Sequence, residues 1–154
     1  MKWFVKCFRH YADFRGRAPL PEFWYFVLFL LPVLFLGFAV VLGVLNCCNV
    51  GDAVRRYAVF LVGLPFLLPY LAVMVRRLHD SGRSGWRAGV YLLVSIAGRV
   101  VGCFSLKPGA AAWLADADLA IAILQGVYLV FMIYWLCLPG EPGENSYGPV
   151  PQAG

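Results

Sequence analysis

The stretch Arg76-Arg77-Leu78-His79-Asp80-Ser81-Gly82-Arg83-Ser84-Gly85-Trp86 decides how the chain is read. It is basic, rich in turn residues, and set between two long apolar runs. Upstream, Tyr57 to Val75 has no charged side chain. Downstream, Ala88 to Gly98 is apolar, Arg99 intrudes, and Val100 to Leu106 continues the run. Charges confined to connections between apolar blocks mark a polytopic helical membrane protein, because lipid satisfies neither charges nor unpaired backbone groups. Composition agrees: 62% of residues are hydrophobic and 14% charged, against roughly 45–50% and about 25% in ordinary globular domains. A soluble domain of 154 residues has too little interior to hide that much apolar surface.

Working outward, the apolar runs predict four spans at about 23–45, 57–75, 85–106 and 119–138. The first is uncharged and exceeds the ~20 residues needed to cross ~30 Å of hydrocarbon. Trp24 and Tyr25 stand at its entry, where aromatic rings favour the interface. Pro32 predicts a kink, and Gly37 to Gly43 permits a close helix approach. Pro21 suits a first helical turn, and Glu22 favours the positive end of that helix. Before it, residues 1–14 place Lys2, Lys6 and Arg9 on one helical face and Phe4, Phe8 and Tyr11 on another. This predicts an amphipathic interfacial helix, its aromatic face in the headgroup region or against the bundle itself. Residues 139–154 are rich in Pro and Gly and are expected to be extended. The predicted fold is thus an all-α membrane bundle of four transmembrane helices over 15–138, an interfacial helix before it and a tail after it. No cleavable signal peptide is expected, since the first apolar run is too long and has no small-residue cleavage site.

Basic residues set the orientation. Lys2, Lys6, Arg9, Arg15, Arg17, Arg76, Arg77, Arg83 and Arg87 flank one side, against Arg55, Arg56, Arg99 and Lys107 on the other. The positive-inside rule puts both termini and the central stretch in the cytoplasm. The net charge of +5 then reports topology and contact with anionic lipid, and no nucleic-acid partner is expected.

Three stretches share that cytoplasmic side: Phe14-Arg15-Gly16-Arg17-Ala18 with Glu22-Phe23-Trp24; Arg76 to Trp86; and Pro139-Gly140-Glu141-Pro142-Gly143-Glu144-Asn145-Ser146-Tyr147-Gly148-Pro149-Val150-Pro151. In this order and spacing the chain, from about Trp3 to Pro151, resembles the bacterial inner-membrane family known as domain of unknown function 805. The resemblance implies a small multi-pass protein of the bacterial inner membrane and carries no established activity. The chain departs from the family in Pro19 to Pro21, in Arg87 after Trp86, and in a longer segment from Arg99 to Asp118.

Candidate functional residues are few. Arg76, Arg77, His79, Asp80, Arg83 and Trp86 form a candidate lipid-headgroup or interaction motif, because guanidinium groups bind phosphate bidentately. Asp80 is read either as a cap for the third helix or as an arginine's partner, and His79 as an interfacial hydrogen-bonding group. His79 and Asp80 alone make no metal site, with His10 the only other histidine. Arg99 is expected to pair with Asp116 or Asp118, and Gln125 to hydrogen-bond between helices. Cys103 is a candidate to bridge Cys47 or Cys48 on the oxidising side, with free thiols the preferred reading. No nucleophile elbow or phosphate loop is present, so neither catalysis nor a cofactor is expected. The expected function is non-enzymatic: a basic cytoplasmic face contacting anionic lipid, a membrane-protein partner or a second copy. The alternative is a small oligomeric transporter or channel.

Overall fold

A computed structural model describes residues 7–9, 11–48, 50–105, 107 and 111–151. Among these the fold is all-helical: α1 (Leu20–Cys47), α2 (Asp52–Asp80), α3 (Trp86–Ser105) and α4 (Ala112–Cys137). All four are long and apolar enough to cross a membrane, since even the shortest, at ~1.5 Å per residue, reaches ~30 Å. A single bridge between Asn145 and Gly148 is the nearest approach to β-structure among the described residues.

Local chemistry sets the helix ends. Extended Pro19 stands before α1, Pro21 lies in its first turn, and Glu22 follows at the positive end of the helix. The second helix does not stop at Val75 but runs on through Arg76 to Asp80. The first charge ends an apolar run, not a helix, and here both arginines find internal partners. What stops α2 is Gly82, whose φ of 68° suits a residue without a Cβ. Its N–H bonds the His79 carbonyl at 3.1 Å, and the Arg83 N–H bonds the Leu78 carbonyl at 2.8 Å. Two residues on, the Ser84 hydroxyl accepts the Trp86 N–H at 3.4 Å and caps α3. Asp80 therefore closes α2, and the cap of α3 belongs to Ser84.

The helices form two hairpins. Gly37 of α1 packs against Val62 of α2, and Gly98 of α3 against Ile121 of α4. The buried core gathers at one end of the molecule. Phe23, Phe26 and Leu30 come from the start of α1, Val73, Met74 and Leu78 from the end of α2, Ala88 from the start of α3, and Met132 and Leu136 from the end of α4. Toward the opposite end the helices show apolar side chains such as Leu36, Val40, Leu93, Ile96 and Ile123, a surface suited to lipid rather than water.

Half of the expected N-terminal interfacial helix, residues 1–6 and 10, lies outside the described residues. Within them, Cys7 to Arg9 is helical and Arg9 is exposed. The Phe8 ring stands 6.0 Å from Phe26 and 6.2 Å from Phe66, and the Tyr11 hydroxyl donates to the Pro65 carbonyl. Residues 139–151 do not run free. They fold back over the packed end, where the Glu141 N–H bonds the Asp80 carbonyl at 2.9 Å.

Candidate functional site

At the packed end the three stretches singled out in the sequence meet in one buried polar cluster. Asp80, at the end of α2, is its centre. Its Oδ1 accepts Arg17 Nε at 2.9 Å and its Oδ2 accepts Arg77 Nη1. Arg17 also donates to three carbonyls of the tail: Glu141 at 2.7 Å, Gly143 at 2.6 Å and Gly148 at 3.5 Å. Arg77 reaches the last turn of α4, donating to the Leu136 carbonyl at 3.0 Å and to that of Leu138. Carbonyls at a helix C-terminus have no intrahelical donor and carry the negative end of the helix dipole, so they offset a buried cation. A second pair lies beside the first, Arg76 Nη1 donating to Glu22 Oε1 at 2.8 Å. The side chains of Arg77 and Glu22 are 0% exposed.

A further layer closes over these charges. Asn145 Nδ2 donates to the His79 carbonyl at 3.0 Å and to Glu141 Oε2 at 2.8 Å. The Tyr147 ring stacks on His79 with centroids 3.9 Å apart and planes within 4°. His79 Nδ1 lies 3.2 Å from the Gly16 carbonyl. The Ala18 N–H bonds the Arg76 carbonyl at 3.0 Å. A Cβ on Gly82 would collide with the Glu141 carboxylate, and one on Gly140 with that of Asp80, so both glycines let the tail lie close.

This placement divides the candidate motif. Arg76, Arg77 and Asp80 are buried and charge-paired inside the protein, so they are closed to a lipid headgroup, even though Arg76 Nε and Nη2 have no hydrogen-bond partner among the described residues. His79 is half-buried. Arg83 and Trp86 remain at the surface, Trp86 78% exposed. The Arg83 guanidinium lies 5.7 Å from the Trp135 ring centroid and that of Arg87 4.5 Å, both within cation–π range. Arg83 Nε and Arg87 Nη1 have no hydrogen-bond partner among the described residues. Arg17, Glu22, Arg87, Trp135 and the tail's carbonyls were not among the candidates. The stretches holding Arg17, Glu22 and the tail had been quoted, but nothing in a linear pattern says that Arg17 would reach residues 124 positions on.

The remaining candidates lie elsewhere. Gln125 Nε2 donates to Ser95 Oγ at 3.0 Å, joining α4 to α3. Arg99 is exposed and makes no ion pair with Asp116 or Asp118 among the described residues. Instead the Asp118 carboxylate occupies the room left by Gly102, where a Cβ would stand 3.2 Å from its Oδ1. The candidate bridge from Cys103 to Cys47 or Cys48 is not formed, and all three are exposed free thiols. Among the described residues no group of three or more His, Cys, Asp or Glu side chains is placed to hold a metal ion.

Comparison with known proteins follows the same boundaries. Residues 11–149 match the family described as "Protein of unknown function (DUF805)". The chain is 30% identical to "Inner membrane protein YhaH" of Escherichia coli (strain K12) over 154 residues, covering 99% of this chain and 98% of that one. It is 29% identical to "Inner membrane protein YhaI" of the same organism over 155 residues, covering 100% and 98%. "Uncharacterized protein YiiR" is 31% identical over 136 residues, covering 88% and 84%. No solved structure matches the chain significantly.

Proposed function

This chain belongs to the DUF805 family, and from that premise we propose that it is a non-enzymatic, multi-pass protein of the bacterial inner membrane whose basic cytoplasmic end holds anionic lipid headgroups through Arg83 and Arg87. The observation that carries this reading is the pair of half-buried guanidinium groups over Trp135, which make no ion pair with an acidic side chain among the described residues. Both arginines are only half-buried, and the exposed part of each guanidinium would form charge-assisted hydrogen bonds to a phosphate. Trp86 beside them has the amphipathic ring that favours the interface. The cytoplasmic side is assigned from the basic flanks. A non-enzymatic role suits a cluster whose carboxylates, Glu22 and Asp80, are both engaged by arginines.

Native mass spectrometry of the detergent-purified protein tests the reading. The wild type is expected to retain anionic phospholipid, and a variant carrying Arg83→Gln and Arg87→Gln to lose it by about tenfold while still melting cooperatively. Equal retention by the two proteins would leave both arginines as topology determinants and sink the proposal.

A further inference from the structure

Between the last turns of α2 and the first turns of α3 the surface is hollowed into a groove of about 520 Å³, inside the ~300–1,000 Å³ typical of small-molecule sites. Two glycines make the hollow. A Cβ on Gly85 would come 2.6 Å from Val75 Cγ1, so this glycine lets α3 begin hard against α2. A Cβ on Gly89 would meet only the Trp86 ring, at an ordinary 3.4 Å, and the space beyond stays open.

The groove is graded along its length. Leu71 of α2 and Leu92 of α3 line the end toward the middle of the helices, and His79 and Ser84, with the rings of Phe14 and Trp86, the end nearest the basic cluster. His79 to Leu71 spans ~12 Å of helix, so an occupant passes from polar to apolar surroundings along the direction in which a lipid is itself graded. At the basic end the chemistry is specific. A carbonyl can only accept, so His79 Nδ1 must carry the proton it shares with the Gly16 carbonyl. In the neutral ring Nε2 is then an acceptor, and it faces Gly85, where a Cβ would stand 3.2 Å away. The Ser84 hydroxyl accepts the Trp86 N–H and keeps its own proton to donate.

The geometry points to a lipid slot, in which one acyl chain of an anionic phospholipid lies along Leu71, Val75, Gly89 and Leu92 while a headgroup hydroxyl donates to His79 Nε2 beside Ser84. This rests on the lipid-contact reading above and names the lipid class: a phosphatidylglycerol-like molecule, its hydroxyl matched by the histidine, while Arg83 and Arg87 stand outside the groove's lining, over Trp135. A helix of a second copy would fill the apolar part but would leave the polar end unused.

The test uses the full chain in neutral detergent and native mass spectrometry. The probes are phosphatidylglycerol and phosphatidylmethanol, which has the same charge and no headgroup hydroxyl. Wild type is expected to retain phosphatidylglycerol about fivefold more strongly, the effect of roughly one net hydrogen bond. Gly89→Leu, which fills the groove from within a helix, is expected to cut retention at least about tenfold. Val90→Leu, one residue on along the same helix and on its exposed side, is expected to leave it unchanged. Wild-type retention by Gly89→Leu would overturn the slot, and equal retention of the two lipids would overturn the hydroxyl contact. Should Gly89→Leu fail to melt cooperatively, Leu92→Phe fills the end toward the middle of the helices and is read in the same way. The Arg83→Gln, Arg87→Gln variant separates this inference from the reading beneath it. Loss there with normal retention by Gly89→Leu removes the slot alone, and the converse removes the arginine site alone. A wild type that retains neither lipid removes both.

Discussion

Asp80 shows how much can depend on one carboxylate. It is the common partner of Arg17 and Arg77, and its backbone carbonyl also takes the Glu141 N–H. Asp80→Asn keeps the shape but leaves two guanidinium groups facing each other without a counter-charge in a buried site. We expect a loss of ~3–5 kcal/mol, the usual cost of removing one member of a buried pair. It would be read as a lower thermal midpoint by tryptophan fluorescence in detergent. A negligible shift would mean that the carbonyls of α4 and the tail suffice to hold both arginines. The sequence left Asp80 open between capping and pairing. The Arg77 contact follows only once α2 is seen to run on to Asp80, since residues three apart then share a helix face. The Arg17 contact was not legible, because it depends on how the chain before α1 docks on the end of α2. Likewise, nothing in the linear pattern separated arginines that would be buried from those that would stay at the surface. Arg76 and Arg83 look equally basic, and only the docking of α1 and the tail tells them apart.

At the scale of the element, the four helices were legible because each is a long apolar run and lipid permits little else. Their ends were less so. The end of α2 was misjudged because hydropathy reports where lipid ends, whereas the helix ends where Gly82 turns the chain. The tail was read as extended from its Pro and Gly content, and it is indeed neither helix nor strand, yet it is fastened at Glu141, Gly143, Asn145 and Tyr147. Gly82 joins the two features, since its left-handed backbone ends α2 and its missing side chain leaves room for Glu141. Gly82→Ala should therefore cost ~1–2 kcal/mol in backbone strain and also loosen the tail. Limited digestion with a glutamate-specific protease would then cut after Glu144 faster in the variant than in the wild type, the Glu141–Pro142 bond being resistant. Equal rates would show that the tail's hold is independent of this turn.

At the scale of the whole molecule, two hairpins are joined firmly at one end and show apolar surface at the other. The thiols report on this arrangement. Cys47 and Cys48 close α1 and Cys103 lies near the end of α3, all three exposed and away from the charged cluster, whereas exposed Cys137 ends α4 beside it. On the proposed orientation, with both chain termini cytoplasmic, a membrane-impermeant maleimide added to spheroplasts should label single-cysteine variants retaining Cys47, Cys48 or Cys103, and spare the one retaining Cys137. The opposite pattern would reverse the orientation and move the proposed lipid contacts to the outer leaflet.

The cluster also imposes an order on biosynthesis. Arg17 is translated well ahead of the Glu141 carbonyl it will hold, 124 residues later, and at ~5–20 residues per second that gap is on the order of ten seconds. Throughout that interval both hairpins must enter the bilayer while Arg17 and Arg77 lack part of their final shell, with water or headgroups standing in for the missing carbonyls. Closure of the charged end is therefore a late assembly step, taken after insertion, and an insertion intermediate should be most exposed to quality-control proteases at the place where the finished protein is most tightly packed.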